Sequence, residues 1–369
     1  MNAWITHFLK FKIGLLLLLI ANQSGATEWL ETYQTTRSLG MGGSGVALSS
    51  DETSLYRNPA NLGSVRNIFG TFLDPELEGS SNFVNQVSSN STGKAFDIEA
   101  VNTILNTNRE KIYHARLQLT PSIVRRYFGF GLIAHNQLNA EMNAAGTQLN
   151  TQYRNDLGGV AGANISFFDG RVKLGASVKL INRIEVTNPT LSTAGPFDMA
   201  TIGSEGTGIS TDIGLLIQAP WTLIPTLGLV ARDVGDTKFD YKDGLRLKTT
   251  TRPATVKQSV DVALAIFPIH ANNFRSLWTV EYSDVTNSRN DTNAKKRIHV
   301  GFESNWRDIL FFRAGLNQNY WTAGFEIASE RVSWQLASYG EEIGGDIVNG
   351  IESASREDRR LNMKLTVRF

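Results

Sequence analysis

The chain has no cysteine among its 369 residues. A disulfide framework, a thiol nucleophile, a cysteine-ligated zinc site and a lipoprotein anchor are therefore excluded. Histidine is almost as scarce. Beyond His7, the residues His114, His135, His270 and His299 are scattered, without a metal-ligand spacing such as H-E-x-x-H. No metal and no cofactor are expected. Charge of one sign is lacking too: 36 basic against 35 acidic side chains give nothing that would attract nucleic acid. Long hydrophobic runs are absent. The one apolar stretch, residues 13–21, is far shorter than the roughly 20 residues that cross a bilayer as a helix. If this chain enters a membrane, it does so as strands.

That short run fits a different purpose. Lys10 and Lys12 precede it and Ser24-Gly25-Ala26 follows, the layout of a secretory signal cut after Ala26. Its removal takes two of the 36 basic side chains away and leaves the 35 acidic ones a single charge in excess.

What the chain does have, beyond about residue 67, is alternation. Leu361, Met363, Leu365, Val367 and Phe369 share one face of a strand, and Asn362, Lys364, Thr366 and Arg368 the other, because successive side chains point to opposite sides. Val172, Leu174, Ala176, Val178 and Leu180 repeat the pattern, with Lys173 and Lys179 opposite. Such one-sided segments predict about fourteen antiparallel strands. Their starts fall near Asn67, Ile112, Arg126, Leu157, Gly170, Gly208, Leu223, Val256, Arg275, Lys295, Asp308, Tyr320, Arg331 and Arg359. An even count places both mature termini on one side, the periplasmic one. Leu365, Val367 and the terminal Phe369 resemble the signal read by the barrel-assembly machinery.

The connections sort by parity, as transmembrane barrels require. Residues 121–125, 169, 219–222, 268–273, 304–307 and 329–330 are read as short turns. Residues 74–111, 136–156, 184–207, 233–255, 285–294 and 340–358 are read as longer loops. Residues 317–319 break the pattern. Within the first long loop, Ile98, Val101, Ile104 and Leu105 recur at helical intervals and predict a short surface helix. Trp221, Trp306, Tyr320, Trp321, Tyr127, Phe128 and Phe311 fall near strand ends, where barrels collect aromatic belts. The fold class read from this is all-β: a transmembrane antiparallel barrel in the outer membrane of a Gram-negative bacterium, contacting outer-membrane lipid.

Ahead of the first strand, Gly40, Gly42 and Gly45 formally satisfy G-x-G-x-x-G. A dinucleotide loop must follow a buried strand and open a helix, yet residues 31–37 are polar. Close backbone packing in a confined space is the better reading, since glycine has no Cβ. The glycine cluster, the turn from Asp51 to Ser54 and Asn58-Pro59-Ala60 together resemble the N-terminal hatch of the FadL/PorV-like superfamily of outer-membrane barrels. The segment from Tyr339 to Gly344 and the last strand are similar to members of the group as well. The resemblance implies fourteen strands (residues 66–369) around a plug (residues 27–65) shaped by Gly40, Gly42, Gly43, Gly45, Asn58, Pro59 and Ala60. It also implies passage of hydrophobic molecules through a gap in the wall. Gly129 and Gly131 could weaken the third strand locally. Residues 136–156 are rich in Asn, Gln and Ala, unlike an apolar ligand-catching loop, so fatty acid is not the expected cargo.

No catalytic residue is expected. A barrel-embedded lipase could use only His135 or His299 with a strand serine. Asp233, Asp236, Asp240 and Asp243 are numerous enough for calcium, but Lys238 and Lys242 are interleaved and the cluster reads as a solvated loop. The leading expectation is a passive channel for hydrophobic or amphipathic small molecules, its substrate-binding residues unassigned. The alternative is a platform for secretion-system proteins, surface attachment or conjugative transfer, and a third reading is a soluble periplasmic β-protein.

Overall fold

The computed structural model describes residues 31, 33–48, 51–84, 94–242, 244–247, 249–289, 293–345, 347–348 and 351–368. Two short helices, α1 (Thr36–Gly40) and α2 (Ser54–Arg57), and a 3-10 turn (Pro59–Ser64) precede the strands. Fourteen strands then form one closed antiparallel barrel. The first two are each interrupted: β1 runs over Phe69–Leu73 and Glu76–Ser80, and β2 over Ile112–Leu119 and Ser122–Arg125. Helix α3 (Ile98–Asn106) lies between them. There follow β3 (Phe128–Met142), β4 (Gln148–Phe167), β5 (Val172–Ser192), β6 (Ser204–Gln218), β7 (Thr226–Arg232), β8 (Ser259–Ile266 with Ile269–Ala271) and β9 (Phe274–Tyr282). The circuit ends with β10 (Ile298–Trp306), β11 (Leu310–Asn317), β12 (Tyr320–Ala328), β13 (Val332–Glu342) and β14 (Glu357–Arg368). Closure comes from β14, which pairs Arg368 with Thr71 and Lys364 with Glu76.

Alternation then sorts the side chains by environment. On β5, Leu174, Val178 and Leu180 point outward and are 45, 50 and 49% exposed, whereas Lys173, Lys179 and Arg183 point inward and are buried. A closed ladder leaves no strand edge, so the outer face can meet hydrocarbon while the interior stays polar. Leu365 lies on the outer face of β14. Phe369 and residues 1–26 lie outside the described residues.

Most connections keep the parity read from the sequence; the exceptions are the tight turn joining β11 and β12 and the five-residue connection, 143–147, between β3 and β4. Gln318 and Asn319 there both have positive φ, 51° and 81°, the backbone that matches a two-residue turn to strand twist. The expected boundaries need correction in three places. Residues 122–125 belong to β2 and not to a turn. Residues 136–156 are mostly strand: β3 runs to Met142 and β4 starts at Gln148. Likewise β5 runs to Ser192 and β6 starts at Ser204. Apolar alternation marks a strand only within the bilayer, and it fades where strands leave it. A bilayer needs only about 9–11 residues per strand, and β4 and β5 have 20 and 21.

Those extensions explain α3. Tyr113, Leu138, Met142 and Leu149 follow the outward parity of their strands, yet they are buried in one cluster with Ile98, Val101 and Leu105 of α3. Beyond the bilayer no lipid covers an apolar outer face, and the amphipathic helix does so instead. Asp97 caps it, accepting from Glu99 N at 2.9 Å.

The wall therefore has a lipid zone and a loop-end zone on the same strand. Val178→Arg is expected to cost about 2–4 kcal/mol in unfolding from liposomes. Thr190→Arg, exposed at the loop end of the same strand, is expected to cost less than about 0.5 kcal/mol; equal losses would refute the division.

Candidate functional site

The interior is organised around the N-terminal segment. Thr35 and Ser38 form a reciprocal cap on α1, with Ser38 N donating to Thr35 Oγ1 at 2.9 Å. Thr36 Oγ1 donates to Asn362 Oδ1 at 2.6 Å, and Thr322 Oγ1 donates to Gly40 O and accepts from Gly42 N, both at 3.0 Å. Gly45 N and Val46 N donate to one oxygen of Glu281 at 2.7 and 2.9 Å. Arg37 forks onto Glu303 at 2.9 and 2.7 Å and reaches Asp51 at 2.8 Å. Burial alone would raise the Asp51 carboxyl, but the Arg37 guanidinium outweighs it and holds the group below the usual carboxylate range.

Close backbone approach makes these bonds possible. Inward glycines line the wall where the segment touches it: a Cβ on Gly301 would sit 2.5 Å from Met41 O, and one on Gly315 would lie 2.6 Å from Gly42 N. Gly175 faces Pro59 and Ala60, Gly214 faces Asn58, Gly228 faces Ala47 and Gly324 faces Gly40 with similarly little room. The motif residues thus have physical tasks. Gly42 and Gly43 supply φ of 70° and 83°. Asn58 caps the turn, accepting from Ala60 N at 3.0 Å, and Pro59 starts it. Ala60 is the side chain that fits against two glycine-bearing strands.

A seam marks one sector of the wall. Asp74-Pro75 interrupts β1 beside Thr120-Pro121, which interrupts β2. Proline brings no N–H to a ladder, and the register slips by one residue between Thr71↔Ser122 and Glu76↔Gln118. Side chains bridge the interruption. The Asp74 carboxylate accepts from Thr120 N at 2.7 Å and Thr120 Oγ1 at 2.5 Å. From inside, Tyr56 Oη lies 3.2 Å from Thr120 O and 3.1 Å from Leu132 O, and donates its one proton between them. Gly131 leaves the space that the Tyr56 hydroxyl fills, and Gly129 and Gly162 admit Leu55. The ladder at Gly129 and Gly131 is intact, so these glycines thin the wall without breaking it. Burial pushes the phenols of Tyr33 and Tyr56 above their ordinary range, so both stay protonated and Tyr56 keeps the proton it donates.

Tyr33 stacks on Tyr56 with ring centroids 4.5 Å apart, and the pair forms part of the lining of a lumenal cavity of about 340 Å³. Ile133 and Val256 extend its apolar patch, and Arg154, Arg183, Arg232 and Asp261 line its polar sides. One tyrosine therefore touches the cavity on one side and the seam on the other. Seam and cavity were not legible in the sequence; two X-Pro steps facing each other on adjacent strands were the only available sign.

Other candidates are not assembled. His299 Nδ1 bonds Gly42 O at 2.8 Å, and His135 Nδ1 is buried without a partner among the described residues. Neither meets a serine hydroxyl there. His270 does approach Ser276 Oγ, at 2.7 Å, with no carboxylate on its other ring nitrogen among the described residues. Asp233 accepts from Ser210 and Thr237, and Asp236 pairs with Lys257. Asp243 lies outside the described residues, and among those described no group of three or more candidate ligands could hold a metal.

Barrel, parity and lumenal segment define a class: the fold is that of FadL-type outer-membrane barrels. Among solved structures, the CymD monoaromatic hydrocarbon channel superposes with a TM-score of 0.54 at 12% identity, covering 91% of this chain and 97% of its own. The toluene transporter TodX of Pseudomonas putida gives 0.54 at 12% identity, covering 94 and 99%. A FadL homologue of Pseudomonas aeruginosa gives 0.50 at 10% identity, covering 92 and 99%. At these identities the likeness is one of fold. No protein-family profile and no curated protein matches the sequence.

Crowding of the glycine-lined wall is directly testable. Gly175→Val and Gly301→Val are each expected to cost about 1–3 kcal/mol through overpacking and to release residues 31–65 to limited proteolysis while the heat-stable barrel persists. Unchanged protection of that segment would refute the close packing.

Proposed function

We propose that the protein is a passive outer-membrane channel for small hydrophobic or amphipathic molecules, with residues 27–65 as its plug and no chemical step. Tyr56 carries the reading. It lines the 340 Å³ cavity and also seals the seam through Thr120 and Leu132, so moving one side chain would connect lumen and wall. A solute leaving there would enter hydrocarbon directly, favoured by about 25 cal/mol per Å² of apolar surface removed from water. The printed descriptions of CymD and TodX as monoaromatic hydrocarbon and toluene carriers support the same substrate class. No energy source is needed, since lumen shape and polarity set selectivity. The platform reading has no observation of its own.

Tyr56→Ala removes a seal of about 1–1.5 kcal/mol. It is expected to raise toluene entry into proteoliposomes by on the order of tenfold. If wild type, Tyr56→Ala and a protein lacking residues 27–63 all insert yet admit toluene no faster than empty liposomes, the channel reading fails.

A further inference from the structure

The short-turn rim of the barrel is strongly basic. Arg66, Arg125, Arg126, Arg171, Arg307 and Arg331 are all exposed. Arg66 precedes β1, Arg125 ends β2, and the other four stand in the turns β2–β3, β4–β5, β10–β11 and β12–β13. Among the described residues none of the six forms an ion pair. The acids of these turns are Asp169, Asp308 and Glu330, and Asp308 is taken by a further arginine, Arg275, at 2.5 Å. At the opposite end several cations are paired with acids, Lys257 with Asp236 at 2.8 Å, Arg356 with Glu141 at 2.5 Å and Arg359 with Glu357 at 2.5 Å, while exposed Lys238 and Lys242 there form no ion pair among the described residues and serve as the comparison.

Arg126 lies over the Tyr127 ring at 4.9 Å and Arg125 over Phe128 at 6.0 Å, and height along the barrel indicates what else these guanidinium groups meet. Tyr127, Phe168 and Trp306 lie within three residues of Arg126, Arg171 and Arg307 and are 42, 75 and 54% exposed. Such rings mark the level where hydrocarbon gives way to headgroups. Arginines just beyond them stand at phosphate height, and a guanidinium forks two N–H groups onto phosphate oxygens. Short turns of outer-membrane barrels face the periplasm.

We propose that this rim is a binding surface for anionic phospholipid headgroups of the periplasmic leaflet. The apolar wall beside it holds the acyl chains, and the six arginines hold the phosphates. Selectivity for anionic over zwitterionic lipid follows from the unpaired positive charge and weakens as salt screens it.

The test is the lipid retained by full mature protein purified from vesicles of phosphatidylethanolamine and phosphatidylglycerol. Phosphatidylglycerol is expected to be enriched about threefold or more over the bulk ratio at low salt. Combining Arg126→Gln, Arg171→Gln, Arg307→Gln and Arg331→Gln is expected to return it to the bulk ratio, with the heat-stable barrel band unchanged. Lys238→Gln with Lys242→Gln, at the other end, is expected to keep the enrichment. If wild type retains the bulk ratio, or the quadruple variant stays as enriched as wild type, the proposal is overturned. Cosedimentation with murein sacculi in place of lipid enrichment would also overturn it, by assigning the rim to the cell wall.

Discussion

Closing a ladder of fourteen strands puts every interior side chain into one confined volume, and most of what distinguishes this molecule follows from that confinement. The outer face is solved simply, by apolar residues such as Leu174, Val178 and Leu180. The inner face cannot be filled by its own side chains alone. It is filled by residues 33–48 and 51–65, whose backbone reaches the wall because glycines stand at inward positions of strand after strand. Where the segment brings polar groups, the wall answers with Glu281, Glu303, Thr322 and Asn362. Burying so many charges is tolerable only because they are paired and hydrogen-bonded.

The same confinement gives the seam its character. Two prolines on adjacent strands remove donors that a lipid-facing ladder would normally use. Asp74 supplies a carboxylate in their place, and Tyr56 supplies a hydroxyl from the inner segment. A wall sealed by side chains can reopen at modest cost, whereas a sealed backbone ladder cannot. That difference connects the architecture to the proposed passage of small apolar molecules, and it places the controlling contact on the segment that fills the lumen.

The two ends of the barrel divide the remaining work. At the loop end, long strands outrun the bilayer and α3 covers the apolar face that lipid cannot reach. At the short-turn end the described residues present exposed aromatic rings and arginines without ion-pair partners, a surface matched to headgroups.

The sequence by itself determined the class of fold, the number of strands, the order of most short and long connections and the helical turn at residues 98–106. Each of these rests on a period that a single segment carries: two for a strand, 3.6 for a helix. It also marked the glycine run as a place of close backbone approach, because the lack of a Cβ is local chemistry, whereas Asn58-Pro59-Ala60 entered through the family resemblance. It misplaced the ends of β3, β4 and β5, since hydrophobic alternation reports the bilayer and not the hydrogen-bonded strand. Only the tertiary structure decided which wall glycine meets which lumenal residue, that Asp74 bonds Thr120, and that Tyr56 stands between cavity and seam. Those contacts join positions as far apart as Gly42 and Thr322, 280 residues along the chain. Their geometry is fixed by strand register and barrel closure, which no local pattern encodes.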